Sequence, residues 1–240
     1  MKPSLTEFTK EFWNKGYVVL EEYFDGDLMD EYNEMILEHY GHHPDWKHTN
    51  DFVSRSGAEV VPWFPYLDGN TEFNTINNDP FLRDLTAAVI GEDWSDLYCM
   101  CMFSKKGSKG QAWHQDCPPE NPVLFNLNRL VYTHDITPEI GGELCVMEGT
   151  HKKGLLPAGV PNEDLEGQKE FLPKKGTVVL LHGHCWHKVK EVKGEWRVST
   201  NFRAIPSGVP EDVTDVCVYR NMRYRFSTEE VVEERFSEAE

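Results

Sequence analysis

Apolar positions near the start of the chain recur at helical spacing. Leu5, Phe8 and Phe12 share one face, and Ser4-Leu5-Thr6-Glu7 forms a capping box, so a helix is predicted that Gly16 ends. Tyr17-Val18-Val19-Leu20 then reads as a short strand. A second helix is predicted from about Asp27 to Tyr40, with Leu28, Tyr32, Met35 and Ile36 on its buried side. The third is the best punctuated, with Asp79 as N-cap, Pro80 at the first helical position, Phe81, Leu82, Leu85, Ala88 and Val89 inside, and Gly91 at its end. Residues 41–72 have no clear period and hold Trp46, Phe52, Trp63, Phe64 and Tyr66 among Gly, Pro, Asn and Asp.

Beyond Gly91 the texture changes to short β segments, predicted at 97–104, 127–135, 143–148, 169–172, 177–182 and 196–204. Residues 227–240 carry six Glu and one Arg around Val231, Val232 and Phe236, and a short surface helix is expected there. Helices followed by many short strands predict a mainly β fold with an α-helical cover, a sandwich or jelly roll. One domain over 1–240 is expected, with N-terminal helices in 1–91, a jelly-roll core over about 97–226 and an acidic tail at 227–240.

Charge narrows the partners. Against 24 basic residues stand 41 acidic ones, a formal net of −17, which excludes non-specific nucleic-acid binding and disfavours an anionic membrane surface. From Tyr17 to Trp46 there are nine acidic residues and no Lys or Arg, read as a solvated acidic face. No apolar run approaches a membrane span, and the start of the chain lacks the apolar core of a secretory signal, so a soluble, cytoplasmic protein is expected. Cys99, Cys101, Cys117, Cys145, Cys185 and Cys217 form no CxxC pair and read as reduced, mostly buried thiols. Oligomeric state is left open.

His114-Gln115-Asp116 puts an imidazole and a carboxylate two residues apart, on one face of a strand. Alone the pattern is weak, and the chain repeats it at His43-Pro44-Asp45 in an irregular, Pro-containing stretch. Context favours the first copy. A predicted strand and the loop Lys105-Lys106-Gly107-Ser108-Lys109-Gly110 precede it, and Leu181-His182-Gly183-His184-Cys185-Trp186-His187 follows after several more strands. Two His and one carboxylate on one face of a metal make the facial triad of non-haem Fe(II) oxygenases. Arg197, ten residues beyond His187, is a permanently charged, two-pronged donor suited to a carboxylate.

Further segments fall in order. Phe12…Gly16-Tyr17-Val18-Val19-Leu20, Lys106-Gly107-Ser108 before Trp113-His114-Gln115-Asp116, Ile136-Thr137-Pro138-Glu139…Gly142, Glu148-Gly149-Thr150-His151-Lys152 and Arg197-x-Ser199 accompany the two histidine segments. With these the chain resembles the phytanoyl-CoA dioxygenase-type (PhyH-like) Fe(II)/2-oxoglutarate oxygenases, departing from them in Glu148, where Pro is usual. The resemblance implies a double-stranded β-helix in which His114, Asp116 and His187 hold iron. It implies 2-oxoglutarate as co-substrate with its distal carboxylate on Arg197 and Ser199, Gln115 as a further co-substrate contact, O2 as oxidant and ascorbate as a candidate reductant. His182 and His184 read as packing or hydrogen-bonding residues and His151 as a turn brace. His42, His43 and His48 read as surface residues, and Cys99, Cys101 and Phe103 as one alternating core face.

The implied chemistry converts 2-oxoglutarate to succinate and CO2 and hydroxylates an unactivated C–H bond. In halogenases that resemble this family the carboxylate position is Gly or Ala, so Asp116 favours hydroxylation, with desaturation or cyclisation open. The expected substrate is a small metabolite, an amino acid derivative or natural-product intermediate. Alternatives are an acyl-CoA hydroxylase of the same family, disfavoured by the charge of −17, and a non-oxidative cupin-type metal-binding protein, which has no need of Arg197. Residues 41–72 are expected to line or cover the mouth of the iron pocket, with Arg55 or an aromatic facing inward.

Overall fold

The computed structural model describes residues 4–41, 60–226 and 231–235. Helix α1 (Leu5–Lys15) opens on the predicted capping box: the Ser4 hydroxyl accepts from the Glu7 amide at 3.3 Å and Glu7 accepts from the Ser4 amide at 2.7 Å. It ends at Gly16 in the left-handed conformation, φ 88°, where a Cβ would also sit 2.6 Å from His151 Nδ1. Strand β1 (Tyr17–Leu20) and helix α2 (Gly26–Gly41) follow. The buried face of α2 is Met29, Tyr32, Ile36 and Tyr40, while Leu28 and Met35 are only partly buried, a shift of the predicted face by one residue. A single turn, α3 (Asn74–Asn77), precedes α4 (Pro80–Ile90), whose N-cap Asp79 accepts from Leu82 at 2.8 Å.

Two antiparallel sheets make up the rest. The strands are β2 (Val60–Trp63), β3 (Ser95–Lys105), β4 (Gln111–Gln115), β5 (Leu127–Val131), β6 (Leu144–Val146), β7 (Lys169–Phe171), β8 (Val178–His182), β9 (His187–Val189), β10 (Trp196–Ile205), β11 (Val216–Tyr219), β12 (Met222–Phe226) and β13 (Val231–Arg235). The six-stranded sheet runs β1-β8-β5-β10-β3-β2 and the seven-stranded sheet β13-β12-β11-β4-β9-β6-β7. One side of the larger sheet's partner is sealed by the helices. Phe8 and Phe12 of α1 and Leu82, Leu85 and Val89 of α4 join Val18, Leu180, Cys101, Val198 and Phe202 in the main core. Because side chains alternate along a strand, the residues between these point the other way, into a cavity between the sheets.

Two expectations change. The acidic tail is strand β13 over 231–235 rather than a helix, because its β-branched start pairs with β12 in a register that sets Glu234 opposite Arg223. β1 falls where a strand is predicted, and the N-terminal region supplies a second strand besides, β1 and β2 being the two edge strands of the six-stranded sheet. Part of the aperiodic stretch is thus ordered: β2 pairs with β3, its Pro62 tolerated on an edge, and 65–68 forms a 3-10 turn. Arg55, Trp46, Phe52, His42, His48 and the His43-Pro44-Asp45 copy lie outside the described residues.

Candidate functional site

β4 and β9 are antiparallel neighbours in the seven-stranded sheet, and their register sets His114 directly opposite His187. The ring centroids are 4.0 Å apart. Asp116 follows β4 immediately, its amide donating to the Gly183 carbonyl at 2.8 Å. This closes the triangle: potential ligand atoms of His114, Asp116 and His187 all lie within 4.8 Å of one another, and all three residues are buried. His114 Nε2 stands 3.6 Å from one Asp116 oxygen and His187 Nε2 3.4 Å from the other.

The donor chemistry of this cluster fits a metal. Each Nδ1 sits 2.8 Å from a backbone carbonyl, Ala112 for His114 and Cys185 for His187. A carbonyl can only accept, so each Nδ1 carries a proton and each Nε2 is the nitrogen turned toward the carboxylate. Burial pushes His114 down to about 3, reinforced by His187, so the imidazole is neutral at ordinary pH. Burial alone would raise Asp116. Arg203, His187, His114 and a hydrogen bond from Asn128 outweigh it and hold the carboxyl at about 2, so it is ionised. Neutral imidazoles and an ionised carboxylate are the forms a divalent cation requires.

Strand β10 lays four polar residues along the cavity at alternate positions, Arg197, Ser199, Asn201 and Arg203. At one end Arg197 donates from Nε to the Gly142 carbonyl at 2.9 Å and from Nη1 to the Ser199 hydroxyl at 3.0 Å. Gly142 adopts φ 74°, and a Cβ there would collide with the Arg197 side chain. In the middle, Asn201 donates to Asn128 Oδ1 at 2.7 Å, and Asn128 donates to Asp116 Oδ2 at 2.6 Å. The other end is Arg203, with Nη1 3.8 Å from the same carboxylate oxygen. The cavity measures about 360 Å³, and Pro62, Phe64, Tyr98 and Tyr219 also line it.

Arg197, Ser199, His114, Asp116 and His187 thus meet in one cavity; Gln115 does not. It points to the opposite face of β4, donating to the Gly154 and His184 carbonyls and accepting from the Leu156 amide at 2.9 Å. Period-two alternation puts it there, with His114 facing the cavity and its neighbour turned away. His182 stacks on Phe125 with centroids 4.1 Å apart, His184 lies 3.1 Å from the Leu124 carbonyl, and His151 braces the Trp13 carbonyl. Cys99, Cys101 and Phe103 pack under the helices, and their neighbours Tyr98, Met100 and Met102 face the cavity instead. All six cysteines are free thiols. Sequence reasoning missed Asn128, Asn201 and Arg203. For Asn201 and Arg203 the signal was the alternation itself, which continues past Ser199 along β10, whereas Asn128 lies on β5.

A model of the phytanoyl-CoA dioxygenase (PhyH) family matches residues 12–196. The chain belongs to that family. No curated protein matches it at the sequence level. Among solved structures it is similar to the epimerase SnoN in complex with Fe3+, alpha-ketoglutarate and nogalamycin RO, at 16% identity and TM-score 0.67, over 90% of this chain and 86% of SnoN. HygX from Streptomyces hygroscopicus, solved with nickel and 2-oxoglutarate, is 16% identical with TM-score 0.65 over 83% of this chain and 86% of HygX. The non-haem monooxygenase ThoJ is 16% identical with TM-score 0.65 over 92% and 84% of the two chains. The PhyH-family chain therefore has the double-stranded β-helix fold and is a 2-oxoglutarate-dependent non-haem iron enzyme. No helix among its described residues is long and apolar enough to cross a membrane.

Proposed function

We propose that this PhyH-family enzyme hydroxylates an unactivated C–H bond of a small metabolite while converting 2-oxoglutarate to succinate and CO2. The observation that carries the reading is Asp116, an ionised carboxylate fixed by Asn128 between two imidazoles whose Nε2 atoms are turned toward it. His114, Asp116 and His187 would hold iron(II). When bound, iron(II) supplies O2 activation, and a three-residue ligand set leaves positions for the 2-oxo acid and O2.

The remaining residues bind and shield. Arg197, already aimed by Gly142 and Ser199, would take the distal carboxylate of 2-oxoglutarate in a charge-assisted pair. Asn128 and Asn201 keep the Asp116 carboxylate from rotating. Phe64, Tyr98 and Tyr219 wall the cavity against water. A cavity of about 360 Å³ suits a small molecule rather than a polymer.

The test is incubation of the iron-loaded enzyme with 2-oxoglutarate, O2 and a small-metabolite library, reading succinate and product mass. Succinate formed in step with a product one oxygen atom heavier supports hydroxylation. A product isomeric with its substrate would instead align the reaction with the epimerase chemistry named for SnoN. A product lighter by two hydrogens would indicate desaturation or cyclisation.

A further inference from the structure

Arg203 is 6% exposed and lies on the cavity wall, yet its Nε is buried with no hydrogen-bond partner among the described residues. A buried guanidinium is costly unless it is paired and hydrogen-bonded. Its contact with Asp116 does not fill that need. At 3.8 Å it is an ion pair beyond hydrogen-bond reach, and the oxygen concerned already accepts from Asn128 at 2.6 Å. The guanidinium carbon also lies 5.7 Å above the Tyr98 ring, which supports the cation without hydrogen-bonding its edge. The register of β10 against β3 shifts between Arg203 and Ala204, where Leu97 of β3 is the extra residue.

We propose that Arg203 is the substrate anchor, and that it pairs with a free carboxylate on a small substrate. This rests on the oxygenase reading above and deepens it. Arg203 stands six residues from Arg197 on the same strand face, about 20 Å along an extended strand, so two acids can be gripped at opposite ends of one cavity. His114, Asp116 and His187 line the same cavity, with Asp116 beside Arg203. Proximity of Arg203 to Asp116 keeps the gripped carboxylate only a few bonds from the reacting carbon, and the modest cavity favours a compact acid. A monoanion suits the place better than a phosphate, because the ionised Asp116 beside Arg203 repels added negative charge. The rim carboxylate Asp215 is exposed, where solvent and salt weaken its influence. An acyl thioester has no free carboxylate to offer and would leave Arg203 unpaired.

The test uses full-length protein loaded with Mn(II) and 2-oxoglutarate under anaerobic conditions, so that binding is read without turnover. A panel of carboxylic acids with three to eight carbons is screened by thermal shift beside the matching primary amides and methyl esters. At least one acid is expected to bind at least tenfold more tightly than its amide and ester. Arg203→Gln should erase that preference and Arg203→Lys should retain part of it, and at saturating Mn(II) both should bind 2-oxoglutarate within threefold of wild type. If Arg203→Gln fails to fold, Arg203→Lys and the acid-to-amide ratio in wild type still decide. Equal binding of acids and amides, a preference that survives in Arg203→Gln, or a panel with no binding acid would overturn the proposal. Loss of Mn(II) affinity beyond tenfold with the acid preference intact would reassign Arg203 to positioning Asp116. Failure of the oxygenase reading shows separately, as absence of succinate when the same acids are supplied with Fe(II) and O2.

Discussion

Strand β10 carries two buried arginines that face the same cavity and differ in how far the protein satisfies them. Arg197 is fully directed: the Gly142 carbonyl fixes its Nε, Ser199 receives one prong, and the hydroxyl of Tyr132 bonds its side chain. Among the described residues Arg203 is directed by a loose ion pair and an aromatic face, with its buried Nε unpartnered. Preorganisation of this kind lowers the cost of ordering a side chain when its ligand arrives. A fully braced arginine suits a ligand that is the same in every turnover, whereas one with an open donor awaits a partner that completes it. β10 thus presents one braced and one unbraced cation to the cavity that His114, Asp116 and His187 also line.

The largest expected effect collapses the contrast. His187→Ala removes one of three potential ligands, and since losing a mere supporting group costs about 10–100-fold in metal affinity, losing a ligand should exceed that. Mn(II) titration should show it, with turnover abolished and the melting temperature near that of wild type. An active His187→Ala variant would place the ligand set elsewhere.

Next comes the braced end. Arg197→Ala is expected to weaken 2-oxoglutarate binding roughly 10–100-fold, the loss of a charged hydrogen-bonded pair worth about 1.5–3 kcal/mol. Arg203→Gln should change the same constant less than threefold. Gly142→Ala should imitate Arg197→Ala, because it forces a side chain into a left-handed position and against the arginine. Equilibrium binding of 2-oxoglutarate to the Mn(II) protein separates these cases, and equal effects at both ends would erase the distinction.

A smaller effect tests the middle of the strand. Asn128→Ala frees the Asp116 carboxylate to rotate, and Mn(II) affinity should fall about tenfold, near the low end for an outer-shell partner. Asn201→Ala should do less, since it touches Asp116 only through Asn128. The smallest effect on binding is none at all. Gln115→Ala is expected to lower stability by about 1–3 kcal/mol, leaving the buried Leu156 amide and His184 carbonyl unsatisfied, without moving 2-oxoglutarate affinity. Urea denaturation beside the binding titration distinguishes the two outcomes.

What could be read from the chain follows the range of each signal. Capping at Ser4 and Asp79 and termination at Gly16 are local, so α1 and α4 fall where their residues predict. The pairing of His114 with His187 is long-range, yet each lies in a distinctive segment, and both reach the cavity. Strand β13 was misread because six Glu over 227–240 suggest a solvated helix, while Val231–Arg235 pairs antiparallel with β12, a partner its own composition does not specify. Gln115 was misplaced by proximity to its neighbours, although simple alternation turns it away from them. Arg203 was overlooked for the opposite reason: its alternation with Arg197 was visible, but its open Nε is a property of packing alone.

The central claim is that His114, Asp116 and His187 form the iron site of a 2-oxoglutarate-dependent oxygenase. Its most direct test needs no substrate: slow uncoupled turnover under isotopically labelled O2, with Fe(II) and 2-oxoglutarate, comparing wild type with His187→Ala. The account predicts succinate carrying one labelled oxygen atom from the wild-type protein and none above background from the variant. Unlabelled succinate, or labelled succinate formed equally by both proteins, would contradict it.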